Sequence, residues 1–397
     1  MSVLLRLEEP AAPAAPRRFA LWELGFRPLY LLASAYAALS VALWGAQSLG
    51  WLPWAYLQGP AWHAHEMLFG FTLAVVVGFL FTAGRNWSGQ PTPTGRGLMA
   101  LALLWLAARL LMLTPIGWLA AAANLAFAWG SAWGLGRALL AGGNKRNYFF
   151  VALLVAMGLA SLAVQLALLG WVPLPAWAGL QLGLDIVLFI MAVMGGRVIP
   201  MFTNNGVPGT QAVRKPWVEK AALGSVLLLL ALDLGGVQGT ALGVVLLLAS
   251  AVHLARLLLW QPWRTLRTPL VWVLHAAYLW IPLHLALRAG AQWGAWAPSI
   301  AVHALTVGAI GGLIVGMMTR TARGHTARLL RADRFDVACY ALVLCAAVVR
   351  VGVPLAVPAA YGVGLALSAL LWSAGFGLFA LRYWPVLTRA RLDGKPG

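Results

Sequence analysis

Long apolar stretches run through the sequence, interrupted by short polar segments, prolines and glycines. A helix that crosses a bilayer needs roughly 20 mainly apolar residues, and twelve stretches approach that length. The pattern therefore predicts an all-α polytopic bundle of about twelve transmembrane helices. The predicted spans are 28–49, 66–83, 97–114, 117–140, 148–169, 178–200, 217–234, 238–259, 269–288, 297–318, 335–354 and 357–381.

These spans divide the chain into a cytoplasmic N-terminal segment at 1–27, a single transmembrane bundle at 28–381 and a cytoplasmic tail at 382–397. The N-terminus lacks the short apolar region and cleavage site of a signal peptide, so we expect no cleavage. Cys339 and Cys345 lie in one predicted helix and are expected to be buried free thiols.

The composition indicates that the chain resides in a membrane. Hydrophobic residues make up 62% of the sequence and charged residues 10%, which is more apolar surface than a soluble domain can bury. The lipid bilayer is therefore the expected partner. A net charge of +18 would suggest nucleic acid for a soluble protein, but the cations lie in short segments between spans, so we expect no nucleic-acid partner.

The distribution of charge predicts the orientation. The segment before the first span and those after the even-numbered spans hold nearly every Lys and Arg, which places both termini in the cytoplasm. The opposite loops are poor in cations and rich in tryptophan, as an interfacial belt requires. The belt residues are Trp51, Trp54, Trp62, Trp171, Trp177, Trp293 and Trp296.

One spacing suggests an internal repeat. Glycines follow His65 and His303 at the same offsets, 5 and 13 residues on, and an arginine follows each at offset 20. The second and tenth spans are thus candidate repeat equivalents. The sixth span runs in the same direction, four helices from each, which suggests a pseudo-repeat of three groups of four helices.

Histidines lie at two predicted depths. His63, His65 and His303 fall in the outer half of the second and tenth spans, while His253 and His275 lie roughly 10 Å from the cytoplasmic surface by helix rise. Imidazole nitrogen suits haem iron and copper, so a metal or haem site is one interpretation. The alternative is that each forms an interhelical hydrogen bond.

The remaining histidines and the buried arginines leave alternatives open. His284 is expected to be a helix-end polar residue and His325 a solvated member of a basic loop. Arg109 could clamp a haem propionate or pair with Glu66 or Asp185. Arg197 and Arg256 could clamp a cofactor in the same way near His253 and His275, the histidines closer to the cytoplasm, or extend to the cytoplasmic interface.

Several blocks of sequence resemble the NnrS family. They are FRPL at 26–29, WHAHEMLFGF at 62–71, LLWLAARL at 103–110, GGRVIPMFTNN at 195–205, WVLHAAYLW at 272–280, and HALTVGAIGG from residue 303 with its MTRTARGHT continuation.

This resemblance implies a bacterial inner-membrane protein of twelve helices that carries haem b and copper and acts on nitric oxide or a derived species. The motif positions are His63, His65, His253, His275, His303 and His325, with Arg109 and Arg197. His65 and His303 are the expected axial haem ligands, and the other histidines are the copper candidates.

The sequence does not identify the electron donor or show turnover. Two alternatives stand beside an oxidoreductase: a non-catalytic protein that binds nitric oxide or metal protectively, and a twelve-helix secondary transporter.

Overall fold

A computed structural model describes residues 18–52 and 59–395, which form twelve helices and no strand. Nine of them are long and apolar enough to cross a membrane; the other three are α3, α4 and α7. The helices are α1 Phe26–Ser48, α2 Gly59–Ser88, α3 Gly95–Leu111, α4 Gly117–Ala141, α5 Phe149–Leu168, α6 Ala176–Gly206, α7 Pro216–Leu234, α8 Thr240–Leu259, α9 Pro269–Gln292, α10 Pro298–His325, α11 Arg334–Ala356 and α12 Tyr361–Thr388.

Twelve membrane crossings stay a prediction, and several helix boundaries differ from the predicted ones because prolines do not stop the helices. α2 begins at Gly59, seven residues before the predicted 66, since Pro60 stands in the first turn, where its missing N–H costs nothing. α6 continues through Pro200 to Gly206. α12 continues through Pro385 to Thr388, so the tail after the bundle is shorter than predicted. Prolines within membrane helices are tolerated where neighbouring groups satisfy the freed backbone.

The two ends of the described chain lie together. The backbone N–H of Ala20 donates to the carbonyl of Thr388 at 2.8 Å, and Phe19 pairs with Arg389 in an isolated antiparallel bridge. The buried Arg27 donates to the carbonyls of Leu387 at 3.0 Å and Arg389 at 2.7 Å. The segment before α1 and the segment after α12 therefore sit at the same end of the bundle.

Helices α2 and α10 share an unusual local structure. In each, an α-helical turn ending in a histidine is followed by a π-helical stretch, Glu66–Thr72 after His65 and Ala304–Gly311 after His303. Such wide turns are rare and occur frequently at functional sites. The matching break supports the repeat equivalence of α2 and α10; α6, by contrast, is α-helical throughout.

The repeated glycines mark close helix contacts. A Cβ on Gly70 would lie 2.4 Å from Nη1 of Arg109, and one on Gly308 would lie 2.3 Å from the ring of Trp280. A Cβ on Gly316 would lie 2.9 Å from Leu274. The glycine spacing in the sequence therefore marks places where a neighbouring side chain occupies the space that a Cβ would fill.

Gly308→Ala is expected to lower the free energy of unfolding by about 1–3 kcal/mol, because the added methyl overlaps the Trp280 ring. The matched control is Gly224→Ala in α7, where no atom lies within 4 Å of the added Cβ. Helix propensity alone should make that control neutral or more stable by about 0.5–1 kcal/mol. Thermal unfolding in detergent compares the two, and equal midpoints would contradict the contact.

A cavity of about 100 Å³ lies among α1, α2, α6, α9 and α10. Its lining is apolar and includes Met191, Met194 and Met317, with no histidine. The cavity is therefore not where imidazole ligands converge.

Two further predictions are corrected at the bundle surface. Trp62 is buried, whereas Trp51, Trp171, Trp177 and Trp293 are exposed as a belt requires; Trp54 lies outside the described residues. Cys339 is buried but Cys345 is exposed, because six residues along a helix turn the second thiol away from the face of the first.

Candidate metal centre

A charged network is buried at the start of the π-helical stretch of α2. Glu66 is fully buried, and both its carboxylate oxygens accept from Nη1 of Arg109, at 2.6 and 2.7 Å. Tyr36 also donates to Glu66, and the second guanidinium nitrogen of Arg109 donates to Asn124. Arg109 thus forms the ion pair with Glu66 that was one of its two predicted roles.

His65 is held by hydrogen bonds on both ring nitrogens. Nδ1 lies 2.9 Å from Glu66, and Nε2 lies 2.9 Å from the Ser161 hydroxyl and 3.2 Å from the Gln165 amide nitrogen. A carboxylate only accepts, so Nδ1 carries the proton and Nε2 offers a lone pair. This is the tautomer of a histidine that ligates a metal through Nε2 while a carboxylate orients the ring.

His63 and His303 form a second group. They lie within coulombic reach of each other and of Arg350 in α11. His303 donates from Nδ1 to the Ser299 carbonyl at 2.6 Å, which leaves a lone pair on Nε2. The His63 ring stacks on Trp44 with centroids 5.2 Å apart, and its Nδ1 is buried without a hydrogen bond.

A third group surrounds His253 in α8. Its Nδ1 lies 2.7 Å from the Tyr278 hydroxyl, which also accepts from Arg256 at 3.0 Å. Arg256 in turn donates to both oxygens of Glu219, at 2.9 and 2.5 Å. The other ring nitrogen of His253, Nε2, is buried near the backbone of Ala222 without hydrogen-bond geometry.

His275 in α9 adjoins the third group. Its Nε2 lies 2.8 Å from the Thr203 hydroxyl, whose own proton goes to the carbonyl of Ile199 at 2.8 Å. Nε2 of His275 is therefore the donor, and Nδ1 keeps a lone pair that is buried and unpaired. Trp260 packs edge-on against both His275 and Tyr278, and Tyr278 contacts His253, so two aromatic side chains connect the inner histidines.

The structure brings some predicted residues together and separates others. His303 lies within coulombic reach of His63, whereas His65 forms hydrogen bonds with Ser161 and Gln165 of α5. Residues two apart on a helix point about 200° apart, so His63 and His65 face different sides of α2. Axial ligation by His65 and His303 stays a prediction. Within the described ranges, no group of three or more His, Cys, Asp or Glu side chains is placed to hold a metal ion.

Four other predicted positions lie apart from these groups. Arg197 donates to Asn147 at 2.7 Å and stacks over Phe149 and Phe150 rather than joining the inner histidines. His284 bonds the Ala301 carbonyl at 2.7 Å, as an interhelical contact. His325 ends α10 with its ring 5.8 Å from that of Phe26. Asp185 is bonded by Gln181 at 2.9 Å and is not the partner of Arg109.

Sequence reasoning missed the hydroxyls and amides that hold the histidines. Ser161 and Gln165 stand one helical turn apart in a strongly apolar helix, a signal that could have identified a polar face directed inward. Thr203 and Asn124 carried no comparable signal, because a single small polar residue in a membrane helix commonly bonds its own backbone.

The donor set suits a histidine-ligated metal. A ligating imidazole needs one nitrogen with a free lone pair and the other fixed by a hydrogen bond. His275 and His303 meet both conditions, and His253 and His63 each keep a buried nitrogen without a partner. Unpaired buried polar atoms are uncommon in native interiors, so these nitrogens are the strongest indication of bound groups.

Fold and site together define a multi-pass helical membrane protein with histidines buried in its interior. The chain belongs to the NnrS family, because that family's model, described as NnrS protein, matches residues 20–391, nearly the whole chain. No curated protein gave a match.

Proposed function

We propose that the protein is a twelve-span protein of the bacterial inner membrane, with both termini cytoplasmic, that acts in the response to nitric oxide stress. Nine apolar helices support the multi-pass topology, and the pairing of Ala20 with Thr388 supports an even number of crossings. The cation-rich segments next to the termini support their cytoplasmic location. Family membership supports the connection with nitric oxide.

The buried, partnerless imidazole nitrogens are the observation that carries the metal proposal. We assign haem b ligation to His63 and His303, which lie within coulombic reach of each other, with His65 as the alternative on α2. His253 and His275 would hold copper. When bound, a haem iron supplies a binding position for a diatomic molecule and a copper ion supplies or accepts an electron.

The protein's own polar groups would orient and insulate these groups. The Ser299 backbone carbonyl and the Thr203 and Tyr278 hydroxyls each hold one nitrogen of a candidate ligand. The Arg256 guanidinium, neutralised by Glu219, donates to the Tyr278 hydroxyl. For Nε2 of His253 to ligate copper, Nδ1 of that ring carries the proton and donates to the Tyr278 oxygen.

Purified wild-type protein tests this directly. We expect a pyridine haemochrome spectrum of haem b and copper by elemental analysis. Absence of both would contradict the metal proposal.

To separate an oxidoreductase from a protective binding protein, the reduced protein is given nitric oxide without oxygen. Consumption well beyond one equivalent per haem supports turnover; consumption that stops at one equivalent supports binding alone.

One observation favours the transporter alternative. Secondary transporters use interrupted membrane helices, and α2 and α10 are both interrupted by π-helical stretches. However, transporters of this size commonly repeat after six helices, whereas α2 and α10 are eight helices apart. Protein that lacks a Soret band and copper would favour transport.

A further inference from the structure

A basic pocket lies beside His325, at the end of α10 and in the connection to α11. Its volume is about 500 Å³, and it is lined by Arg323, Arg328 and Arg331 together with Leu329, Ala332, Asp333 and Leu392. Volumes of 300–1,000 Å³ are typical of small-molecule sites, so the pocket can hold a group the size of a lipid headgroup.

The acidic residues at the pocket are already engaged. Asp336 is buried and accepts from Arg323 at 2.6 and 3.0 Å, and it also accepts from the Tyr383 hydroxyl at 2.8 Å. Asp333 accepts from Arg323 at 2.8 Å and from Arg382 at 3.0 Å. These two carboxylates therefore fix the wall of the pocket and are committed to Arg323 and Arg382.

The charge of Arg328 is left without a counter-ion. Its guanidinium makes only a long contact, 3.5 Å, to the Thr326 carbonyl, and no described carboxylate pairs with it. Burial lowers the pKa of Arg328, and the nearby cations Arg323, Arg382 and Arg389 lower it further. An anion in the pocket would relieve this repulsion, and the guanidinium fork matches the geometry of phosphate oxygens.

The surroundings favour a phosphate that is carried by a lipid. Leu329, Leu330 and Leu392 are 64%, 50% and 40% exposed beside the arginines. Apolar side chains next to basic ones are typical of a segment at the membrane interface, where acyl chains and headgroups meet. Basic pockets at the ends of membrane helices on the cytoplasmic side bind anionic headgroups.

We propose that this pocket binds a phosphate group, supplied by an anionic phospholipid of the cytoplasmic leaflet. The phosphate would contact Arg328 and Arg331, with the acyl chains along the exposed leucines. The pocket lining includes no histidine, and the site does not depend on the proposed metal chemistry.

The test uses full-length protein in detergent and compares wild type with the double variant Arg328→Gln, Arg331→Gln. Phosphatidylglycerol, phosphatidylcholine or inorganic phosphate is added separately, and bound ligand is measured by native mass spectrometry and by the shift in unfolding midpoint. The matched control is Arg96→Gln, which removes one charge from an exposed residue at the start of α3.

Wild-type protein should bind phosphatidylglycerol, and the double variant should bind it about 30-fold more weakly, since the two interfacial arginines contribute about 1 kcal/mol each and about 1.4 kcal/mol is tenfold in affinity. Arg96→Gln should bind as wild type does. Saturation by inorganic phosphate alone would assign the site to a soluble phosphate and overturn the lipid source. Equal binding of phosphatidylglycerol and phosphatidylcholine, or equal affinity in wild type and the double variant, would overturn the proposal. Unchanged unfolding of the variants without added ligand shows that they fold.

Discussion

Replacing Glu66 with glutamine is expected to lower the free energy of unfolding by about 3–5 kcal/mol. The side chain is fully buried and neutralises Arg109, whose own side chain is 3% exposed. Glutamine keeps the shape but leaves the guanidinium as an uncompensated charge inside an apolar bundle, which is the costly case for a buried pair. Unfolding in detergent, followed by heat or denaturant, measures the loss.

Two controls make this result specific. Glu23→Gln removes the partner of Arg18, whose side chain is 70% exposed, and should cost less than about 1 kcal/mol. The double variant Glu66→Gln, Arg109→Met removes both charges and should lose much less stability than the single losses added together. A cost for Glu66→Gln no larger than that for Glu23→Gln would show that the pair is not buried as described.

Loss of the two inner histidines is expected to remove bound copper. His253→Ala with His275→Ala deletes both nitrogens that lie buried without a partner in the inner group, so copper per chain should fall to background. Thr203→Val keeps His275 but removes the hydrogen bond to its Nε2, and copper affinity should fall about 10–100-fold.

The matched control is His284→Ala, because His284 is buried in the same helix as His275 but bonds a backbone carbonyl. Its copper content should equal that of wild type. Copper is measured by elemental analysis, and affinity by competition with a chelator. Full copper in the double histidine variant would contradict the inner site.

Much of the fold could be predicted because the membrane imposes it. Only helices and closed barrels satisfy the backbone in lipid, so apolar length reveals most helices, and twelve appear in the described chain. The ends were less predictable. Pro60 is compatible with the first turn of a helix, whereas Pro200 and Pro385 lie within helices that a proline would more readily end in water.

The partners of the histidines could be predicted only in part. Helical depth predicts how far His65, His253 and His303 lie from the membrane surfaces, but depth does not fix which way a ring faces. The π-helical stretch after His65 rotates the following residues relative to a regular helix, so facing directions across α2 cannot be read from a 3.6-residue period. His63 and His65 precede this stretch and face different sides of α2, and which of them faces α10 depends on helix packing that the sequence does not show.

The sequence could not identify the side chains that fix the ring tautomers, for a related reason. Thr203 and Ser161 bond histidines from helices that are distant in sequence, 72 and 96 positions away. Only the packing of α6 on α9 and of α5 on α2 brings them within reach.

The measurement that tests the central claim most directly is haem content by pyridine haemochrome in wild type and in His63→Ala, His65→Ala and His303→Ala. We expect haem b in wild type, its loss in His303→Ala, and its loss in His63→Ala, the variant that removes the neighbour of His303. Loss in His65→Ala with retention in His63→Ala would assign the second ligand to His65. Haem retained in His303→Ala and in the double variant of His63 and His65 would contradict haem ligation by these histidines.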